Sequence, residues 1–182
     1  MDLGRKFTRS WFAPVMSRSG GFSLVEQNHM ESTTMLLTDA LMFAGGGSAS
    51  TAGGIKVTTI AVMFLAIVAE ARGDSDVKVY GRTIPQGTMR VAISVIVAGA
   101  TLVSVSAFLL LQISGASLDR VLFETISAFA TVGLSTNLSA ELPPSGVYVL
   151  TALMFAGRVG TVTLAAGLAL RLERPHRGCP LA

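Results

Sequence analysis

Five stretches of the chain are dominated by apolar residues, and polar or glycine-rich segments separate them. The longest clean run covers residues 91–113. It carries no charge, and its one strongly polar side chain, Gln112, lies near the end. This run predicts a transmembrane helix, because a hydrocarbon core of about 30 Å is crossed at about 1.5 Å per residue. Residues 147–170 predict a second span, apolar except for Arg158 in its middle. Residues 33–71 are too long for one simple span. At their centre stands Gly45-Gly46-Gly47-Ser48-Ala49-Ser50-Thr51-Ala52-Gly53-Gly54. Each glycine costs a helix about 1 kcal/mol relative to alanine. The prediction is therefore a broken helix, 33–44 and 55–71, with an irregular loop between the halves.

Two apolar stretches are too short to cross. Residues 118–130 lead into Thr131-Val132-Gly133-Leu134-Ser135, and the rougher stretch 3–17 leads into Ser19-Gly20-Gly21-Phe22-Ser23. A short apolar helix followed by a glycine turn reads as a re-entrant segment. The order short helix, glycine turn, membrane helix thus occurs twice. Only the second copy is preceded by its own span, so the chain is expected to begin in the middle of a repeat. The predicted fold class is an all-α integral membrane protein of helix–pore-loop–helix repeats. A partial repeat covers 1–71, a connection 72–90, a complete repeat 91–170 and a tail 171–182.

Basic residues set the expected orientation. Arg72, Lys78, Arg82 and Arg90 occupy the connection after the broken helix, and Arg171, Arg174 and Arg177 follow the last span. Both regions are expected on the cytoplasmic side, with the C-terminus cytoplasmic and the glycine turns opening from outside. Arg5, Lys6 and Arg9 run against this trend. Residues 1–9 are polar and basic with no apolar signal-peptide core after them.

Composition supports the membrane reading. The chain is 51% hydrophobic and 14% charged, with a mean hydropathy of +0.61, against about 25% charged residues in soluble domains. The net charge of +3 is too small and too scattered for a nucleic-acid partner. Cys179 is the single cysteine, and His29 and His176 lie far apart, so neither a disulfide nor a metal-ligand spacing is present in the sequence. No nucleophile–base pair appears either, and an enzyme is not expected.

The glycine turns carry the candidate chemistry. An ion leaving water needs substitute oxygens, which backbone carbonyls can supply. Glycine permits the angles that turn successive carbonyls to one axis. A short helix ending at the turn aims its negative end there, favouring a cation. Thr131-Val132-Gly133 fits this requirement, and an ordinary hairpin turn between membrane helices fits the same spacing. The glycine-rich loop at 45–54 lacks the lysine and strand of a phosphate cradle. Irregular backbone at membrane depth must be buried or line water, so the loop reads as a gate or as a close-packing site for helices. Arg158 in mid-span costs about 2.5–3.5 kcal/mol to insert. It needs acceptors, for which the loop carbonyls are the expected source, and reads as a cation barrier or a structural anchor. Glu124 is read as an anchor, and Asp39 is left open.

Three segments carry a family resemblance. The stretch from Leu41-Met42-Phe43-Ala44 through the glycine-rich loop to Ile55-Lys56-Val57-Thr58-Thr59 resembles the broken-helix motif of the Trk/Ktr/HKT potassium transporter superfamily. Phe123-Glu124-Thr125-Ile126-Ser127-Ala128-Phe129-Ala130-Thr131-Val132-Gly133-Leu134-Ser135-Thr136 is similar to its fourth pore helix and filter. Met154-Phe155-Ala156-Gly157-Arg158-Val159-Gly160 is similar to its last helix, and Ser17-Arg18-Ser19-Gly20-Gly21-Phe22 to its third filter.

The resemblance implies four helix–pore-loop–helix repeats around one pore in a bacterial plasma membrane. It implies filter residues Ser19, Gly20, Gly21 and Phe22 in one repeat and Thr131, Val132, Gly133 and Leu134 in the next. The transported K+ would meet the carbonyls of Gly21, Val132 and Gly133. Residues 45–54 would be the intramembrane gate and Arg158 its partner and barrier. It further implies a homodimer in the lipid bilayer on a cytosolic ring of nucleotide-binding regulatory subunits (TrkA/KtrA-like), and no bound cofactor, with coupling to Na+ or H+ left open. Two filter segments do not encircle an ion, so the chain is expected to need the remaining repeats or a second copy. Gly20 and Ser19 depart from the usual alanine and threonine. Two other functions fit parts of the sequence: a non-conducting modulator of a full-length transporter, and a secondary transporter holding a small solute at the broken helix.

Overall fold

The computed structural model describes residues 11–12, 15–17, 20–22, 27, 30–47, 53–73, 78–79 and 82–172. Ser19, loop residues 48–52, most of the first short helix, His29, His176 and Cys179 lie outside them. Among the described residues the chain is mostly helical. The elements are α1 (Ser32–Phe43), α2 (Val57–Arg72), β1 (Lys78–Val79), β2 (Arg82–Thr83), α3 (Gln86–Ser114), α4 (Leu118–Ala130), α5 (Leu138–Glu141) and α6 (Pro144–Leu172).

Each boundary has a local cause. Helix α2 ends at Gly73 and α3 at Gly115, both left-handed, with φ of 75° and 61°. Glycine takes this conformation without a Cβ penalty, which is why it so often closes a helix. Helix α6 opens on Pro144, where the missing amide costs nothing and the fixed φ suits the first turn. The hydropathy pattern placed a span at 91–113, whereas α3 starts at Gln86. The helix continues through polar residues that the apolar run does not include. Strands β1 and β2 pair antiparallel, Lys78 with Thr83 and Val79 with Arg82. Two residues per strand are too few to leave a period in the sequence.

The break between α1 and α2 falls where the glycines predict it. Gly45 has φ of 51°, and a Cβ there would overlap the Ile55 carbonyl oxygen. Beyond it, the Val57 amide donates to the Gly46 carbonyl at 3.2 Å, which draws the two ends of the loop together.

Helix α4 is the hub, packing against α1, α3 and α6. Val121, Phe123, Glu124, Thr125, Ser127, Ala128, Phe129 and Ala130 are all buried in it. Among the described residues one helix, Gly87–Ser114, is long and apolar enough to cross a membrane. Its inner face, with Gly99, Val103, Ala107 and Leu110, follows a spacing of three and four residues and is buried. Val97, Val105 and Phe108 point away and are exposed. In a lipid setting, which is as apolar as these side chains, close packing rather than the hydrophobic effect would hold the helices together. Small residues allow that packing. A Cβ on Gly99 would lie 2.9 Å from the tip of Phe129, and a Cβ on Gly157 of α6 would overlap the Phe129 carbonyl. Phe129 also stacks on Phe43 at the end of α1, with ring centroids 6.4 Å apart.

Candidate functional site

The site is built on the segment that leaves α4. Thr131 closes the helix with φ of 53°, and Gly133 follows at 90°. From there burial alternates residue by residue. Val132, Leu134, Thr136 and Leu138 are buried, while Gly133, Ser135 and Asn137 are exposed. This period of two anchors one edge of the segment in the protein and leaves the other edge open.

Polar groups of α4 hold the segment in place. Ser127 Oγ donates to the Leu134 carbonyl at 2.6 Å. Glu124 Oε1 accepts three hydrogen bonds: from Ser135 Oγ at 2.5 Å, from the Thr136 amide at 2.8 Å and from Thr136 Oγ1 at 3.2 Å. Arg120 Nη2 donates to the Thr136 carbonyl at 3.2 Å and pairs with Glu141 Oε2 at 3.3 Å. Glu124 is therefore the anchor its position suggested. Ser127 and Arg120 were not singled out as site residues by the sequence. Glu124, Ser127 and the C-cap Thr131 recur at spacings of three and four, a polar stripe along the second half of this short helix. That stripe was the available signal.

The first glycine turn meets the second. Gly21 has φ of 67°, and a Cβ on it would lie 3.0 Å from the Val132 carbonyl oxygen. A Cβ on Gly133 would lie 3.5 Å from the Gly21 Cα. Two turns from distant parts of the chain thus approach backbone to backbone, and a side chain on Gly21 would crowd the Val132 carbonyl. Gly20 lies against Met16, and Phe22 is exposed.

The end of the glycine-rich loop seats beneath this junction. The Gly53 amide donates to Thr131 Oγ1 at 2.9 Å, and the Gly54 amide to the Gly157 carbonyl at 3.3 Å. Gly54 has φ of 72°, and its Cβ would lie 3.0 Å from the Ala130 Cα. Arg158, the residue after Gly157, borders a cavity of about 490 Å³ with Ser127, Thr131, Gly133, Met154, Phe155 and Val159. The structure thus brings together both glycine turns, the loop end and Arg158. Residues 45–47 lie at the other end of the loop, where Gly45 abuts Ile55. Among the described residues no group of three or more acidic, histidine or cysteine side chains is placed to hold a metal ion.

The family model described as TrkH, cation transport protein, matches residues 1–176. Ktr system potassium uptake protein B of Vibrio alginolyticus is 39% identical over 169 residues, which cover 93% of this chain and 37% of that protein. The protein of the same name in Bacillus subtilis is 37% identical over 158 residues, or 87% of this chain and 36% of that one. Potassium/sodium uptake protein NtpJ of Enterococcus hirae is 31% identical over 174 residues, covering 93% and 38%. The chain spans little more than a third of the length of these relatives.

Proposed function

The chain belongs to the TrkH family of cation transport proteins, and from that premise we propose that it forms part of a potassium-conducting pathway whose filter includes both glycine turns. Its setting is a membrane, as for a cation transporter with the apolar helix α3. The single observation that carries the proposal is the approach of Gly133 to Gly21. A cation path needs backbone oxygens converging on one axis with no side chain between them. Two glycines this close bring the backbones of both turns together with no side chain between them, and α4 points its negative end toward the junction.

In this reading Ser19, Gly20, Gly21 and Phe22 supply one filter segment and Thr131, Val132, Gly133 and Leu134 another. Dehydrated K+ meets the carbonyls of Gly21, Val132 and Gly133. The loop at 45–54 is the gate beneath them, and Arg158 raises the barrier to cations in the cavity below. Potassium is cargo here. The remaining filter segments come from other repeats or from a second copy. The relatives' names speak of a Ktr system, which supports a membrane subunit working with partners. We assign those partners to a second copy and a cytosolic nucleotide-binding ring, with the C-terminus on the cytoplasmic side.

The test is Rb+ uptake into proteoliposomes containing the chain, with Gly133→Asp as the comparison. Aspartate at φ of 90° would be strained and would set a charged side chain against the Gly21 backbone. Uptake by the parent that vanishes in the variant is the expected result. Equal uptake by both would remove the filter assignment.

A further inference from the structure

We propose that the Thr131 hydroxyl is a shared contact for which the glycine-rich loop and a cation at the inner end of the turn compete, so that cation occupancy loosens the seat of the loop. This inference rests on the pore reading above and adds to it a named positioning residue.

The loop end is held by two hydrogen bonds of unequal quality. The Gly53 amide reaches Thr131 Oγ1 at 2.9 Å, an ordinary length, and the Gly54 amide reaches the Gly157 carbonyl at 3.3 Å, beyond the usual range. The Thr131 contact is therefore the firmer one. It is also sterically exclusive. A Cβ on Gly53 would lie 2.8 Å from Oγ1 and 2.9 Å from Cγ2 of Thr131, so only a glycine lets the loop backbone this close.

Thr131 is an unusual residue for its place. Its φ of 53° is left-handed, a conformation that β-branched residues rarely adopt. Its amide still donates to the Ala128 carbonyl at 3.1 Å, which keeps it joined to the helix end. The same residue borders the cavity shared with Ser127, Gly133 and Arg158. One oxygen therefore stands where the filter turn, the loop and the cavity meet.

A hydroxyl oxygen can accept from a donor and face a cation, since it has two lone pairs. The N–H and the cation both present positive charge to that oxygen and repel each other across it. Each therefore weakens the other's hold. A seated loop disfavours a cation at the inner end of the turn, and a cation there disfavours seating.

The experiment is hydrogen–deuterium exchange of the Gly53 amide, resolved by fragmentation mass spectrometry, with the full chain in lipid nanodiscs. It is run in K+, in Rb+ and in N-methylglucamine. In the parent chain, exchange is expected to be about fivefold faster in K+ or Rb+, the factor given by losing a hydrogen bond of ordinary net strength. In Thr131→Val it is expected to be fast and indifferent to the salt, and Thr131→Ser should restore the response. Equal exchange of the parent in all three salts overturns the proposal without recourse to any variant, as does slow exchange in Thr131→Val. Rb+ uptake separates the two readings. Uptake together with salt-indifferent Gly53 exchange sinks the competition alone. Absence of uptake, with no response of the amides at 131–134 to K+, sinks the pore reading and the competition with it.

Discussion

The carboxyl of Glu124, in the middle of α4, accepts the backbone amide of Thr136 at 2.8 Å, and both residues are buried. The helix that leads into the glycine turn thus also holds the chain that leaves it. The turn between them is fixed at both ends, so its carbonyl positions do not depend on the turn alone. Such preorganisation is what a site replacing an ion's water shell requires.

Removing this anchor has a predictable cost. Glu124→Ala would leave the Thr136 amide and two hydroxyls without their acceptor. An unsatisfied buried donor costs about 1–3 kcal/mol, so the loss should be at least about 2 kcal/mol. Glu124→Gln keeps an acceptor oxygen and should lose less. Thermal unfolding in lipid nanodiscs checks both, and a melting point for Glu124→Ala equal to that of the parent would show that the segment is held elsewhere.

Ser127 acts on the turn more directly, because its hydroxyl donates to the Leu134 carbonyl at 2.6 Å. Ser127→Ala frees that carbonyl at a cost of about 1 kcal/mol. Stability should change little. Discrimination between K+ and Na+ should fall, since a released carbonyl can turn toward or away from a passing ion. Competition of Na+ against Rb+ uptake measures the effect, and unchanged selectivity would assign Ser127 a packing role only.

Much of this architecture was legible in the sequence. Helix α4 occupies the same residues, 118–130, as the apolar run that predicted it. There the run is bounded by polar and glycine-containing residues on both sides. The broken helix was legible for a related reason, since glycines that weaken a helix also mark where it stops. Other features were not. Ser127 looks unremarkable alone, and the face it shares with Glu124 and Thr131 matters only once the chain returns along it. The meeting of Gly21 with Gly133 is tertiary, and no local pattern encodes it. The bond from the Gly54 amide to the Gly157 carbonyl, beside Arg158, is likewise a tertiary contact.

That contact makes Gly157 a sensitive position. A Cβ there would overlap the Phe129 carbonyl, which is backbone and cannot swing aside. Gly157→Ala should therefore cost about 3 kcal/mol or more, at the upper end of overpacking effects. Gly99→Ala meets the ring tip of Phe129 at 2.9 Å, and a side chain can shift, so its cost should be smaller. The yields of monodisperse protein on size exclusion should fall in that order. The reverse order would mean that α6 can slide away from α4 more easily than Phe129 can turn.

Asp39 supports a prediction of the opposite sign. It lies on the face of α1 that carries Met35 and Met42, and those two residues pack with Phe123, Val132 and Leu134. It is 8% exposed, and its Oδ1 atom has no hydrogen-bond partner. A buried carboxylate with an unpartnered oxygen costs free energy, and a neutral residue of similar shape lowers that cost because it removes the buried charge. Asp39→Asn should therefore raise the melting point in nanodiscs, by an amount equivalent to about 1 kcal/mol. If the protein keeps this acid despite its cost, the variant should gain stability while Rb+ uptake falls, the usual exchange at functional positions. A loss of stability would instead mean that Asp39 is held by a partner from another repeat or a second copy.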